Sequence, residues 1–203
     1  MFALVALLAQ AAVTGAAQPP TPATTPNAVP PAISWAIDPV HSEIDFRIRH
    51  LVGIVGGTFN EFSGTVTGTP PAWKDGTVLV EVKVASIDTR IQRRDDHLRS
   101  VTFFDVAKYP GMRFESKRVS IRNGNHLTIV GDLTLKGVTK PVVLTGTYLG
   151  EIITPLGRRV GFQVSAVIDR RDFGITWNQT LDDAGVTLGN EVEIELNIEA
   201  VPL

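Results

Sequence analysis

The sequence predicts an all-β protein, an eight-stranded antiparallel β-barrel with one short surface helix. From residue 33 onwards, apolar and polar residues alternate in eight segments, which is the pattern of half-buried strands. Turn signals, such as Asn-Gly-Asn at 123–125, separate several of these segments. A sandwich of two sheets would also fit the alternation. It would leave four exposed edges, however, whereas a closed barrel leaves none, so the barrel is favoured.

Strong alternation predicts four of the strands. In the segment 191–199, Val192, Ile194 and Leu196 face one side while glutamates face the other. The four strong segments are 41–51, 77–85, 159–169 and 191–199. Weaker alternation predicts the remaining strands at 57–67, 112–121, 127–135 and 142–149. A barrel of this size either fills its interior with side chains or holds one small ligand.

The segment 88–100 breaks the alternation and predicts the helix. Thr89 and Gln92 have the spacing of a Thr-x-x-Gln capping box, which marks a helix N-terminus. Ile91 and Leu98 lie two turns apart, and most of the other residues are long and charged. We therefore expect a short helix on the surface of the barrel.

Four basic residues fall along one side of this predicted helix: Arg90, Arg93, Arg94 and His97. Cations grouped in this way could form an anion site. The alternative is a solvated helix face, on which the arginines pair with the aspartates at positions 95 and 96.

The first charged side chain of the sequence is Asp38. An apolar run at 2–13 leads into small residues at 14–17, so we expect residues 1–17 to be a secretory signal peptide, although a basic n-region is missing. The run is too short to span a bilayer. Residues 18–32 are rich in Pro and Thr and predict a flexible, disordered linker. The barrel domain would then occupy residues 33–203.

Composition excludes several classes of protein. The chain has 19 Lys and Arg against 21 Asp and Glu, a net charge of −2, which gives no support to nucleic-acid binding. It has no cysteine, so disulfides, thiol nucleophiles and cysteine-bound metal centres are ruled out.

Ordered motifs along the chain resemble the YceI family. They run from DPVHS at 38–42 and FRIRHL at 46–51, through GTF at 57–59, FSG at 62–64, ASIDT at 85–89, RDDHLRS at 94–100, FFD at 103–105, KYP at 108–110 and FES at 114–116, to GDLTLKGVTKPV at 131–142 and RDFGI at 171–175. The resemblance extends from residue 33 to the C-terminus. The linker at 18–32 is longer than the spacer usual in the family.

This resemblance implies a lipocalin-like barrel, usually secreted to the bacterial periplasm, around a long apolar pore. The ligand implied is a polyisoprenoid or another amphiphilic lipid, and family members are often homodimers. No cofactor, nucleic-acid partner or integral membrane span of the mature protein is expected.

The alternation assigns a set of apolar side chains to the wall of this pore. They are Phe46, Ile48, Val80, Val82, Val84, Phe162, Val164, Ile194 and Leu196. The alternative for each of them is ordinary core packing. A phosphate head group would need donors at the mouth of the pore, and we assign that role to Arg90, Arg94 and His97.

The alternatives to a lipid carrier are a hydrolase or metal enzyme and a stress-related scaffold module. The four histidines show neither HExxH nor paired strand spacing, and no Gly-x-Ser-x-Gly motif occurs, so no catalytic or metal-binding residue is predicted. Asp38, His41 and Ser42 lie too close together in sequence for a catalytic triad. We interpret Asp38, His41 and Asp96 as buried or half-buried groups that fix strand and helix ends by hydrogen bonds. The other class is a secreted interaction or scaffold module, which would have a filled core.

Overall fold

The computed structural model describes residues 32–181 and 185–203. The expected signal peptide at 1–17 lies outside these residues, as does all of the expected linker except residue 32.

Most of the described chain is β-strand. The strands are β1 (Ile33–Ile37), β2 (Glu43–His50), β3 (Gly53–Phe59), β4 (Phe62–Gly68), β5 (Thr77–Lys83), β6 (Ile87–Asp88), β7 (Gly111–Arg122), β8 (His126–Leu135), β9 (Val138–Thr154), β10 (Gly157–Asp169), β11 (Thr180–Leu181), β12 (Gly185–Val186) and β13 (Leu188–Pro202). One α-helix, α1 (Gln92–Arg99), and two 3₁₀ turns, Val84–Ser86 and Arg170–Phe173, complete the described elements.

Eight strands close a barrel. Their order is β1-β4-β5-β7-β8-β9-β10-β13, and β13 pairs back with β1. All of these pairings are antiparallel. The barrel predicted from the alternation is therefore confirmed, and its closure leaves the ring without an unpaired edge.

Three further strands extend the sheet at one end of the ring. β2 pairs with residues 188–197 of β13, and β1 pairs with residues 200–202 of the same strand. β3 then pairs with β2, and β6 pairs with β3. Because β1 and β2 both pair with β13, at successive positions along it, they are two halves of one interrupted strand. The predicted strand at 57–67 is likewise split into β3 and β4, with a break at residues 60–61.

The helix forms where expected, but its start differs from the prediction. The N-cap is Ile91, which makes no side-chain capping bond, so the predicted capping box of Thr89 and Gln92 is wrong. The Thr89 hydroxyl instead donates to Asp95 Oδ1 at 2.5 Å, and the Thr89 backbone N–H donates to the same oxygen at 2.9 Å. A buried carboxylate is a stronger acceptor than an amide, so it draws Thr89 away from the helix end.

Alternation determines which side chains fill the interior. On β10, Val160, Phe162 and Val164 are buried while the residues between them are more exposed. β9 and β10 approach closely at Gly146, where a Cβ atom would lie 2.0 Å from the carbonyl oxygen of Gln163. Only glycine fits this contact, which allows the two long strands to curve together.

No helix in residues 32–181 and 185–203 is long and apolar enough to cross a membrane.

Candidate functional site

A cavity of about 370 Å³ lies inside the barrel. Residues from the barrel strands and from α1 line it, and most of the lining side chains are aliphatic or aromatic. Small-molecule sites have this size and this predominantly apolar character. The interior of the barrel is therefore not completely filled by its own side chains.

The structure brings together eight of the nine side chains predicted for the pore wall. Those that line the cavity are Phe46, Ile48, Val80, Val82, Phe162, Val164, Ile194 and Leu196. Val84 is not among the lining residues. β5 ends at Lys83, and Val84 begins a 3₁₀ turn. Val84 is buried, but away from the cavity, because the alternation of β5 stops before it.

Aromatic residues outside the alternating strands also line the cavity, and they were not among the residues predicted for its wall. Phe103 and Phe104 come from the segment after α1, and Trp177 follows the second 3₁₀ turn. Phe103 and Trp177 both pack against the His97 ring, with centroids 4.9 and 5.1 Å away. Only the fold shows that these rings cluster, because apolar and polar residues do not alternate in these segments.

Trp73 closes one part of the cavity. It lies in the connection between β4 and β5, is only 1% exposed, and packs edge-on against Phe162 at 5.0 Å and Tyr148 at 5.6 Å. Its indole also contacts Trp35 at 6.1 Å. Burial raises the pKa of the Tyr148 phenol, as expected in such an apolar group of rings.

Two basic residues of α1 line the cavity. Arg94 and His97 line it, and Arg94 donates from Nε to the Thr89 hydroxyl and from Nη2 to the Thr89 carbonyl, both at 2.7 Å. Arg90 does not line the cavity. It is exposed in a turn with a φ of 65°, where its backbone N–H donates to Asp88.

The alternative of a solvated helix face holds for part of α1. Arg93 is exposed, and Asp96 pairs with Arg99 at 3.3 Å rather than with a residue at the cavity. Asp95 is buried by its contacts with Thr89, so it is not a surface partner for the arginines.

Arg170 also lines the cavity and was not among the site residues predicted from the sequence. Its side chain is 3% exposed, and it donates to the carbonyls of Gly189, Ile175 and Trp177 at 2.7 to 2.8 Å. Its Nη2 atom is buried without a hydrogen-bonding partner among the described residues. In the sequence Arg170 is one of two adjacent arginines, and nothing in the pattern distinguishes the buried one.

Comparison with known proteins gives the family. The family model of the YceI-like domain matches residues 35–200. The chain belongs to the YceI family. Protein YceI of Salmonella arizonae is 39% identical over 182 residues, which cover 88% of this chain and 91% of that relative.

Solved structures share the fold of this YceI-family chain. The YCEI protein of Campylobacter jejuni is 28% identical, with a TM-score of 0.65 over 74% of this chain and 86% of that one. A polyisoprenoid binding domain from Saccharophagus degradans, implicated in plant cell wall breakdown, has a TM-score of 0.64 over 84% of this chain and 99% of that one. It is 13% identical, so that likeness concerns the fold alone.

A polar cluster lies outside the cavity of this YceI-family barrel. Asp38, His41 and Glu199 place ligand atoms within 4.8 Å of one another, close enough to hold a metal ion. Arg159 Nη1 contacts both carboxylates, at 3.1 Å from Asp38 and closer to Glu199, so a cation already neutralises the acidic pair. The Ser42 hydroxyl bonds the Glu199 backbone instead of His41, which is not the geometry of a triad.

These contacts support the structural interpretation of Asp38. Its carboxylate accepts from the Val40 N–H at 3.0 Å and lies 2.8 Å from His41 Nδ1, which fixes the turn between β1 and β2. His41 and Asp96 make the expected hydrogen bonds, but their side chains are 54% and 64% exposed, so the expected burial is wrong for both.

Proposed function

We propose that this YceI-family protein is a non-catalytic carrier that holds the hydrocarbon chain of a polyisoprenoid or similar amphiphile inside its barrel. The observation that carries the proposal is the apolar cavity of about 370 Å³, walled by inward side chains of the barrel strands. The name of the Saccharophagus degradans domain, a polyisoprenoid binding domain, agrees with this ligand class.

The physical basis is the transfer of apolar surface out of water. Burial of hydrocarbon contributes roughly 25 cal/mol per Å² of accessible surface, so a wall of Val, Ile, Leu and Phe needs only a matching shape to bind a long chain. No reactive group is required for such binding. The wall residues named above are the proposed ligand contacts, with Val84 excluded.

The proposed place of action is the periplasm, where a carrier would move or store a lipid that water does not dissolve. Residues 1–17 would direct export, and the mature chain would begin near Gln18. N-terminal sequencing of protein purified from the native envelope tests this, and an intact Met1 on cytoplasmic protein would contradict it. A homodimer, implied by the family, is tested by sedimentation of the same material.

Solvent extraction of protein from its native host tests the binding function. Mass spectrometry of the extract should find a long-chain amphiphile in a stoichiometric amount, and adding a polyprenyl lipid to the extracted protein should raise its melting temperature. A scaffold module predicts neither result. An empty extract together with an unchanged melting temperature would overturn the carrier proposal.

A further inference from the structure

Two arginines, Arg94 and Arg170, and two histidines, His50 and His97, lie among the residues that line the cavity. Arg94, His97 and Arg170 all line it, and none of them forms an ion pair within 4.0 Å among the described residues. The acidic residue among the lining residues is Asp45, which lies opposite Glu195 of β13. The residues on either side of it, Ile44 and Phe46, lie opposite apolar residues of β13. Asp45 therefore belongs to the outward-facing set of β2.

Arg170 has the least satisfied environment of the three. Backbone carbonyls accept from its Nε and Nη1 atoms, but they carry no formal charge, and Nη2 has no partner among the described residues. Buried charges in proteins are normally paired, since an unpaired one loses its hydration without compensation. Burial accordingly lowers the pKa of the Arg170 guanidinium.

Trp177 connects Arg170 with His97 of α1. Arg170 donates to the Trp177 carbonyl at 2.7 Å, and the Trp177 ring packs at 86° against His97, one helical turn from Arg94 on α1. Arg170 therefore lies on the part of the cavity wall that adjoins His97 on α1. His97 is exposed and Arg94 half-buried, whereas Arg170 is 3% exposed, so an anion in the cavity would feel the Arg170 charge with little screening by water.

We infer that the amphiphile held by this barrel carries an oxyanion head, a phosphate or a carboxylate, which is bound by Arg170, Arg94 and His97. This inference rests on the proposed function, because it assigns the head of the chain that the cavity holds. It also replaces Arg90, which is exposed outside the cavity, with Arg170 in the head-group site predicted from sequence.

Two probes with the same chain separate the head from the tail. Dissociation constants for geranylgeranyl phosphate and geranylgeraniol are measured with the full chain by native mass spectrometry. The wild type should bind the phosphate about tenfold or more tightly, because only the phosphate offers charged oxygens that accept hydrogen bonds from the arginines. Arg94→Gln and Arg170→Gln should each reduce this ratio, and hexadecanoate against hexadecanol should show the same preference if a carboxylate also fits.

Arg99→Gln is the matched control. Arg99 lies on the same helix and donates to the Ala85 and Ile87 carbonyls at 2.8 and 2.7 Å, but it does not line the cavity. Its loss should leave the ratio unchanged. Because the ratio compares two ligands on one variant, general destabilisation cancels, and Arg94→Gln keeps the test open if Arg170→Gln does not fold.

Two outcomes would overturn the inference. Equal affinity of the wild type for phosphate and alcohol would show that the cavity does not select an anion, while the carrier proposal would stand. Equal loss of both ligands in Arg94→Gln would show that Arg94 is only structural. If neither probe binds at all, the proposed function itself fails.

Discussion

At the scale of single residues, guanidinium groups satisfy backbone carbonyls where strands stop. Arg99 donates hydrogen bonds to the carbonyls of Ala85 and Ile87, and Arg94 donates to that of Thr89. Arg170 donates to three carbonyls in the segment 175–189. Buried carbonyls outside a sheet need such donors, and one arginine offers five N–H bonds. The arginines are thus part of the fold as well as of the proposed site.

The first prediction concerns a charge placed on the cavity wall. Val82 is 5% exposed and lines the cavity, so Val82→Glu puts an unpaired carboxylate in an apolar space, at a cost of several kcal/mol. We expect a folded protein of lower melting temperature that no longer retains the amphiphile. Phe162→Glu should behave in the same way.

Circular dichroism melting and mass spectrometry of the extract measure the two effects. Val143→Glu is the control, since Val143 is 50% exposed on β9 and should tolerate the charge. Retention of the amphiphile by Val82→Glu would contradict the assignment of this wall, and complete unfolding of both wall variants would favour a filled core.

The second prediction concerns pH. The hydrogen bond with His41 is the main cause that lowers the Asp38 pKa from 3.8 to about 2, with help from Val40 and Arg159. A lowered pKa means that the carboxylate stabilises the fold above pH 3.8 and loses this effect as pH falls through 2. Asp38→Asn should therefore be less stable than the wild type at about pH 7, and the difference should disappear towards about pH 2.

Urea unfolding across this range, with the exposed Asp172→Asn as control, measures the difference. A stability difference independent of pH would mean that the Asp38 charge is unimportant and only the shape of the turn matters.

At the scale of elements, alternation predicted most strands, because each has one wet and one dry face. β13 was predicted at 191–199 and extends over Leu188–Pro202, and β10 was predicted at 159–169 and begins at Gly157. β1 was missed because it has only five residues and its outward positions include the apolar Ala36, so the alternation of Ile33, Trp35 and Ile37 is too short to stand out in the sequence. Non-periodic segments could not be placed by pattern, so Trp73, Trp177 and Arg170 were missed as cavity residues.

The third prediction concerns the connection between β4 and β5. Trp73→Ala removes the ring that closes the cavity next to Phe162, at a cost of about 3–5 kcal/mol in stability. The space left by the ring should let the barrel accept a longer hydrocarbon chain. We expect the preference among prenyl alcohols to move towards longer ones in a competition assay.

Trp35→Ala is the control for this variant. Trp35 is fully buried and packs on Trp73, but it does not line the cavity, so its loss should lower stability without changing the preferred chain length. The same length preference in Trp73→Ala and the wild type would show that this indole does not limit the cavity.

At the scale of the whole molecule, interruptions of neighbouring strands create the region around α1. The breaks after β3 and β5 lie side by side, since Asn60 and Glu61 bond to Ser86 and Lys83 bonds back to Glu61. Beyond these breaks β2, β3 and β6 continue the sheet, and α1 follows β6 with its cavity-lining residues Arg94, His97 and Leu98. The barrel is thereby closed as a ring and still carries a helix beside its cavity.

The last prediction concerns the extent of the folding unit. The ring closes through β1, which pairs with β4 and with the C-terminal end of β13, so every pairing of the barrel lies within residues 33–202. A chain that begins at Ala32 should therefore match the full chain in melting temperature and in affinity for a polyprenyl lipid. Removal of residues 33–37 as well takes away Trp35 and the strand that closes the ring, and should cause a large loss of stability. Differential scanning calorimetry of the three chains tests this, and a chain from Ala32 that is markedly less stable than the full chain would place the domain boundary before residue 32.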